Sequence, residues 1–457
     1  MIKLPKRAVG GISLTIAGTI LFLAGSIMGG SPGIYIDSEG VHTAEGIIKT
    51  KDGILHQGTN TIVSYQKNTL TLEPFDSFYI HAEDADLSVT FGDSWSLEYC
   101  LPGSSTVDSY ITDGILHFTA AGLSETGSGG KIYYMWLDPI SWDGTNTERK
   151  YYVNLSVPKD TVFQDISLST SNGDCKTDTL YAENDCTLHT DWGDISGKDL
   201  QAKNLDISVG NGSLDIKGSV DVQENCTIRA DWGDIKLDSL SASEAALAAG
   251  NGSLTISDDL NASKNCQINA DWGGAVIGNV SSPEVNIAMG NGNLTITGSL
   301  HASKSCGITA DWGDIKIGSL TAPTANISLS NGDLDITETM DAPKSCLVHA
   351  DWGDIEISGL LCPDAFISQN NGSLGLSIRK GTSLEVSNDY GDVKLAAEGT
   401  LSDYDYSFSS AYGEIYLPGQ DSVSGTAMNN RSRTNRSQTS GYLQVTCDNG
   451  DIKITEQ

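Results

Sequence analysis

The chain repeats itself. Five stretches, CTLHTDWGDISGKDL, CTIRADWGDIKLDSL, CQINADWGGAVIGNV, CGITADWGDIKIGSL and CLVHADWGDIEISGL, place Trp192, Trp232, Trp272, Trp312 and Trp352 at intervals of 40 residues. Such a period constrains the fold more than length does, because each unit is one supersecondary element that buries its apolar side only against its neighbours. A finer period runs inside it. Glycine recurs at Gly173, Gly193, Gly212, Gly233, Gly252, Gly273, Gly292, Gly313, Gly332, Gly353, Gly372, Gly391 and Gly413, with a late copy at Gly450. In the centre of this run the spacing alternates between 19 and 21 residues, so the 40-residue unit is a pair of unequal coils.

One coil reads GDIKLDSLSASEAALAAGN. Ile235 and Leu237, then Leu240 and Ala242, then Ala245, Leu247 and Ala249 form three short alternating runs, each a strand with one apolar face. The next coil, GSLTISDDLNASKNCQINADW, repeats these columns as Leu254 and Ile256, Leu260 and Ala262, and Cys266, Ile268 and Ala270, with one extra residue in each of two turns. The predicted fold class is all-β: a single-stranded parallel β-solenoid (β-helix) with about 20 residues per coil in 40-residue double-coil repeats. Roughly 13 or 14 coils at about 4.8 Å each make a rod on the order of 65 Å long.

The flanks differ from the repeats. Lys3, Lys6 and Arg7 (a cytoplasmic tail, residues 1–7) precede an uncharged run over residues 8–30, and no further Lys or Arg follows until Lys49. This pattern predicts one N-terminal transmembrane helix with the body exported, or a signal segment cleaved among the small residues near Ala24 to Ser26. Residues 31–60 read as a stalk, 61–160 as an N-terminal β cap region, 161–374 as the regular solenoid and 375–457 as irregular C-terminal coils and cap. GQDSVSGTAMNNRSRTNRSQTSG reads as an exposed loop within the last of these. The net charge of -32, from 27 basic and 59 acidic residues, argues against nucleic acid, whose phosphates require Lys and Arg clusters.

VPKDTVFQDISLSTSNGD, the NGD-type and WGD-type coils and the closing DNGDIKIT resemble the putative-adhesin family of bacterial β-strand-repeat proteins, a domain of unknown function. The resemblance covers roughly residues 61–457 and implies a β-helical fold, membrane anchoring and a body at the bacterial cell surface. It supplies no catalytic residues. The regular 40-residue pairing and the Trp row depart from it.

Cys186, Cys226, Cys266, Cys306 and Cys346 hold one inward column, shared with Leu205, Ala245, Val285, Ala325 and Ala365 of the intervening coils. Two coils separate successive thiols by about 9.6 Å, beyond the reach of a disulfide, so they read as small core hydrophobes. Cys362 stands where Ala242 and Ala322 stand.

The turn itself is the candidate site. Asp191, Asp231, Asp311 and Asp351 precede the Trp, and Asp194, Asp234, Asp314 and Asp354 follow the Gly; Asp271-Trp272-Gly273-Gly274 lacks the second carboxylate. Gly250, Asn251 and Ser253 hold the equivalent positions in an alternate coil. Both residues of an Asn-Gly turn tolerate positive φ. Alternation spaces the carboxylates near the Debye length instead of about 4.8 Å apart. Three readings stay open. Each Trp covers the neighbouring Asn-Gly turn while the Asp residues cap backbone amides. Alternatively, the Trp row stacks on sugar rings of a glycan, or meets a cell-envelope protein, with carboxylates bonding to the ligand. Calcium is the third, the only cofactor the composition suggests, although the calcium β-roll pattern is absent.

Enzyme signatures are missing. His42, His56, His81, His117, His189, His301 and His349 show no metal-ligand spacing, and there is no nucleophile elbow, Walker loop or HExxH. A catalytic site is singular whereas these carboxylates repeat. The sequence therefore predicts a non-catalytic, surface-anchored adhesin or envelope scaffold that binds along the Asp-Trp-Gly-Asp edge. An accessory in envelope-stress signalling and a polysaccharide-acting β-helix enzyme are the alternatives.

Overall fold

Parallel strands stacked at hydrogen-bonding distance force one corner of each coil against the same corner of the next, and only glycine fits there. In the computed structural model, which describes residues 34–37, 40–43, 46–51, 54–57, 65–103, 105–122, 151–428 and 441–457, a Cβ on Gly193 would strike the carbonyl of Gly173. The same holds for Gly212 on Gly193, Gly233 on Gly212, Gly252 on Gly233, and so on to Gly391 on Gly372 and Gly450 on Gly391. Gly233 and Gly313 also adopt φ of 139° and 138°, in the left-handed region. Asn residues of the alternate turns do not: among the described residues only Asp113 and Asp160 join the glycines at positive φ. The recurrent glycine thus answers to space rather than to a shared Asn-Gly turn conformation.

The predicted columns align in register. Leu205 pairs with Cys226, Cys226 with Ala245, Ala245 with Cys266 and Cys266 with Val285, all in parallel. In the middle of the solenoid the three runs of a coil merge into one bent strand, as in Ile235–Ala249 and Leu254–Ala270. Register shifts between Leu237 and Leu240 and between Ala242 and Glu244 absorb the two extra residues of the longer coil. The interior is a continuous stack of Leu, Ile, Val, Ala and Cys, each aliphatic side chain contributing about 1.5–3 kcal/mol on full burial.

Two compact units are distinguished. The smaller comprises residues 1–68, 99–106 and 120–152. In it the backbone of Ile34–Asp37, Gly40–Thr43, Gly46–Lys51 and Ile54–Gln57, within the stretch read as a stalk, forms a four-stranded antiparallel meander. Also in this unit, Gln66 Nε2 donates to the Ser105 carbonyl at 2.9 Å. The larger unit, residues 69–98, 107–119 and 153–457, is the solenoid.

The winding starts earlier than the sequence suggests. Ser77–Ala82 and Asp86–Gly92 already form a coil, pairing in parallel with Ile166–Asn172 and Cys175–Thr177 through Phe78 with Ile166 and Leu87 with Cys175. Ile115–Ala121 and Tyr152–Pro158 pair with that first coil from its other side. Phe78 and Phe163 meet edge to face at 4.8 Å, and Phe75 packs on Trp95 at 4.6 Å, giving this end an aromatic core where the coils have an aliphatic one.

The C-terminal coils are regular but out of sequence order. Tyr442–Asn449 and Ile452–Glu456 pair in parallel with Leu384–Tyr390 and Val393–Ala397 on one side. Their other side takes Asp405–Tyr416. The last residues of the chain are thus slotted between two coils that precede them. Val423–Met428, inside the stretch read as an exposed loop, is an antiparallel strand on Asp405–Tyr416. Among the described residues no helix is long and apolar enough to cross a membrane, and the expected tail and anchor at residues 1–7 and 8–30 lie outside them.

Candidate functional site

The corner that carries the glycine column also carries the Trp row. The register places Asn172 beside Trp192, Trp192 beside Asn211 and Asn211 beside Trp232. Further along, Asn291 meets Trp312, Trp312 meets Asn331, Asn331 meets Trp352, and Trp352 meets Asn371. Between these stretches, stacking of Gly252 on Gly233 and Gly273 on Gly252 carries Asn251 and Trp272 in the same order.

The row does not stop at Trp352. Asn371 pairs with Tyr390, and Tyr390 with Asn449. Pairing of Ser410 with Cys447 and contact of Gly413 with Gly450 then set Tyr412 beside Asn449. In sequence Tyr390 and Tyr412 are successive members and the alternation looks broken. In space the inserted C-terminal strand puts Asn449 between them and restores it. Sequence reasoning missed both tyrosines, although the motifs DYGD and AYGE carried the signal.

These rings stay in water. Exposure is 44% for Trp192, 61% for Trp232, 67% for Trp272, 60% for Trp312, 59% for Trp352, 57% for Tyr390 and 84% for Tyr412. At about 200 Å² per ring, the seven rungs together expose roughly 860 Å² of aromatic surface along one edge, interrupted by the Asn residues between them. Covering an Asn-Gly turn accounts for less than half of most of these side chains.

The two carboxylate columns have different roles. Those after the glycine cap backbone amides. Asp194 accepts the Ser213 N–H at 2.8 Å, Asp234 that of Ser253 at 3.0 Å, Asp314 that of Asp333 at 3.0 Å and Asp354 that of Ser373 at 2.7 Å. The column extends in both directions, from Asp86 accepting Asp174 N–H to Asp392 accepting Asp451 N–H and Asp451 accepting Glu414 N–H. Asp314, Asp333 and Asp354 follow one another in consecutive coils, so here carboxylates do stack at single-coil spacing, with an amide donated to each. The electrostatic argument for alternation therefore fails at this column. The Ser253 amide and then Lys236, 3.1 Å away, hold Asp234 below the usual carboxylate range. These groups are engaged in the fold.

Among the carboxylates before the Trp, only those at the two ends of the Trp row have side-chain partners. Asp191, Asp231, Asp271 and Asp311 are exposed, and Asp351 is half-buried. Asp191 meets His189 at 3.0 Å; Asp351 meets His349 at 3.3 Å and accepts Asn370 Nδ2 at 2.6 Å. Among the described residues no ion pair involves Asp231, Asp271 or Asp311, and no three His, Cys, Asp or Glu side chains converge as metal ligands would. Here carboxylates alternate with Gly210, Gly250 and Gly290, which lie against the backbone of Asp191, Asp231 and Asp271, until the C-terminal coils, where pairing of Tyr390 with Asn449 sets Asp389 beside Asp448. Several of the described lysines are engaged with other carboxylates, such as Lys316 with Asp335 at 2.7 Å and Lys304 with Glu284 at 3.2 Å. The edge is aromatic, amide-lined and acidic.

The thiols stand apart from it. Burial pushes Cys186, Cys226, Cys266 and Cys306 up to about 12, so they carry no thiolate at neutral pH. Cys346 is raised further, by its hydrogen bond with Cys362 and by burial.

A family model described as Toastrack DUF4097 matches residues 80–260, 244–359 and 277–455, overlapping because the coils repeat. No curated protein matches the chain. Among solved structures it is similar to a putative lipid binding protein from Parabacteroides distasonis, with 11% identity over 71% of this chain and 96% of that one and a TM-score of 0.20. It is also similar to a putative adhesin from Bacteroides fragilis, at 11% identity, 86% and 97% coverage and a TM-score of 0.18. A third is a putative cell adhesion protein from Clostridium sporogenes, at 6% identity, 86% and 100% coverage and a TM-score of 0.14. Superpositions this partial carry over no property.

Proposed function

This chain belongs to the Toastrack DUF4097 family, and from the edge it presents we propose that it is a non-catalytic, adhesin-like binding module, held outside the cytoplasm by its N-terminal segment, that engages an extended ligand along the aromatic row. One observation carries the reading: seven largely exposed rings occupy every second coil of one corner, in an order kept in space even where the chain order is broken. Repetition supports multivalent binding, since a ligand spanning several rungs gains from each at little further entropic cost. Engagement of the second carboxylate column with backbone amides gives those groups a part in holding the coils together. The solvated Asp231, Asp271 and Asp311 remain as acceptors for ligand donors.

The test replaces Trp232, Trp272 and Trp312 together with Ala. Each ring buries about 65–80 Å², an upper bound of ~2 kcal/mol per site, spread over a solenoid whose coils are stabilised locally. Circular dichroism is expected to stay native while binding on a glycan array is lost. Collapse of the fold, or unchanged binding, refutes the proposal in favour of turn-covering rings.

A further inference from the structure

The repeat distance of the edge selects among extended polymers, and we propose that the aromatic row takes an uncharged β-1,4-linked polysaccharide lying along the stacking direction of the coils. The inference rests on reading this edge as a binding surface. Rungs recur every two coils, about 9.6 Å. A polymer that meets every rung with the same chemical face must repeat at nearly that distance. In a β-1,4-linked pyranose chain each sugar is turned over relative to the last, so the same face recurs every second sugar, and the extended disaccharide is close to two coil spacings long. An α-1,4-linked chain curls away from a straight row. A peptide in β conformation repeats its face every two residues, about 6.7 Å, and falls out of step after one rung.

A polyproline helix is the nearest competitor, because three residues advance about 9.3 Å. Hydrogen bonding decides against it. Beside the rungs stand Asp231, Asp271 and Asp311, which as carboxylates only accept. A proline-rich chain offers carbonyl acceptors and few N–H donors, so these groups would face each other unpaired. Sugar hydroxyls donate to the carboxylates and also accept from the amides of Asn251, Asn291 and Asn331 between the rungs. Charge narrows the choice further. The solvated carboxylates beside Trp232, Trp272 and Trp312, on a chain of net charge -32, repel an anionic polymer and equally a second copy of the same edge.

Isothermal titration of the full chain with cello-oligosaccharides and fully N-acetylated chito-oligosaccharides of four, six and eight sugars tests this, with maltohexaose, polygalacturonate and a proline-rich peptide as comparison probes. Affinity is expected to rise with each added disaccharide, and Trp272→Ala to weaken the eight-sugar ligand by about fivefold or more. The comparison probes are expected not to bind at the same concentrations. Trp272-dependent binding of maltohexaose, polygalacturonate or the peptide, with none of the β-1,4-linked series, would overturn the ligand class and leave the edge as a binding surface. Binding of no probe that depends on Trp272 would overturn both.

Discussion

Gly274 is a gap in a working column, and filling it tests what the column does. In the coil ending at Asp234 the carboxylate accepts the Ser253 amide 3.0 Å away; in the coil ending at Gly274 no side chain reaches the equivalent amide of Asn293. A Cβ built on Gly274 would stand 3.9 Å from Asn293 N and 3.2 Å from its carbonyl oxygen, tight by a few tenths of an ångström but open toward the amide. Gly274→Asp should therefore restore the cap. A side-chain acceptor on an exposed backbone N–H contributes about 1 kcal/mol, and loss of glycine freedom in the unfolded chain adds about 0.4–1 kcal/mol. The new charge has neutral neighbours, Ser253 and Asn293, and its nearest column carboxylates, Asp234 and Asp314, are two coils off. At about 9.6 Å each repels it by ~0.4 kcal/mol in water before salt screening, so the balance stays favourable. Gly274→Ala gains only the backbone part, and the difference between the two variants isolates the cap. Hydrogen exchange at the Asn293 amide is the direct readout, since a solenoid opens locally, and about fivefold slower exchange in Asp than in Ala is expected. The capped carboxylate has a folded pKa below its unfolded value, so its contribution is present above about pH 4 and is lost as pH falls through the folded value. Equal exchange in the two variants, or an advantage that survives at pH 2, would refute the capping argument.

Two further outcomes follow from the core and the C-terminal coils. Native protein should react with a maleimide at Cys100 alone, the one half-exposed cysteine of nine, and at all nine after denaturation, as mass spectrometry would count; rapid labelling of Cys226 or Cys266 in the native state would contradict their burial. Deleting residues 441–457 removes the coil between Leu384–Ala397 and Asp405–Tyr416, so limited proteolysis should cut between Gly399 and Met428 while the coils before Leu374 stay intact, and an unchanged digest would count against the inserted strand.

The central coils were legible because a solenoid's neighbours are also its sequence repeats. Every partner of Cys226 or Leu237 lies about one coil away along the chain, so a single period specified the strand columns, the inward Cys positions and even the two corners that absorb the extra residues of the longer coil. Legibility ended where contacts leave that period. Phe78 meets Ile166 across an insertion, and Asp451 donates to Asp392 from 59 residues away; no local pattern encodes pairings at such separations. The two carboxylate columns illustrate the same limit in the site. Asp231 and Asp234 look equivalent in DWGD, yet one continues the outward face of the strand and the other folds back onto the next coil's amide, a distinction made by the backbone between them.

The inserted strand bears on why the aromatic row alternates at all. If alternation merely descended from duplication of a 40-residue unit, it should follow sequence order and lapse where the unit lapses, after Trp352. Instead it continues through Tyr390, Asn449 and Tyr412, residues outside the period, in an order that exists only after the chain has threaded its last coil between two earlier ones. A constraint acting in three dimensions is required. Steric relief supplies part of it, because two large rings in adjacent coils would compete for about 4.8 Å of edge. Crowding alone, however, would be satisfied by small residues throughout, and the glycine column shows that this corner accepts them. Large rings retained at every second coil, over half exposed in six of seven cases, are what a ligand with its own repeat would need.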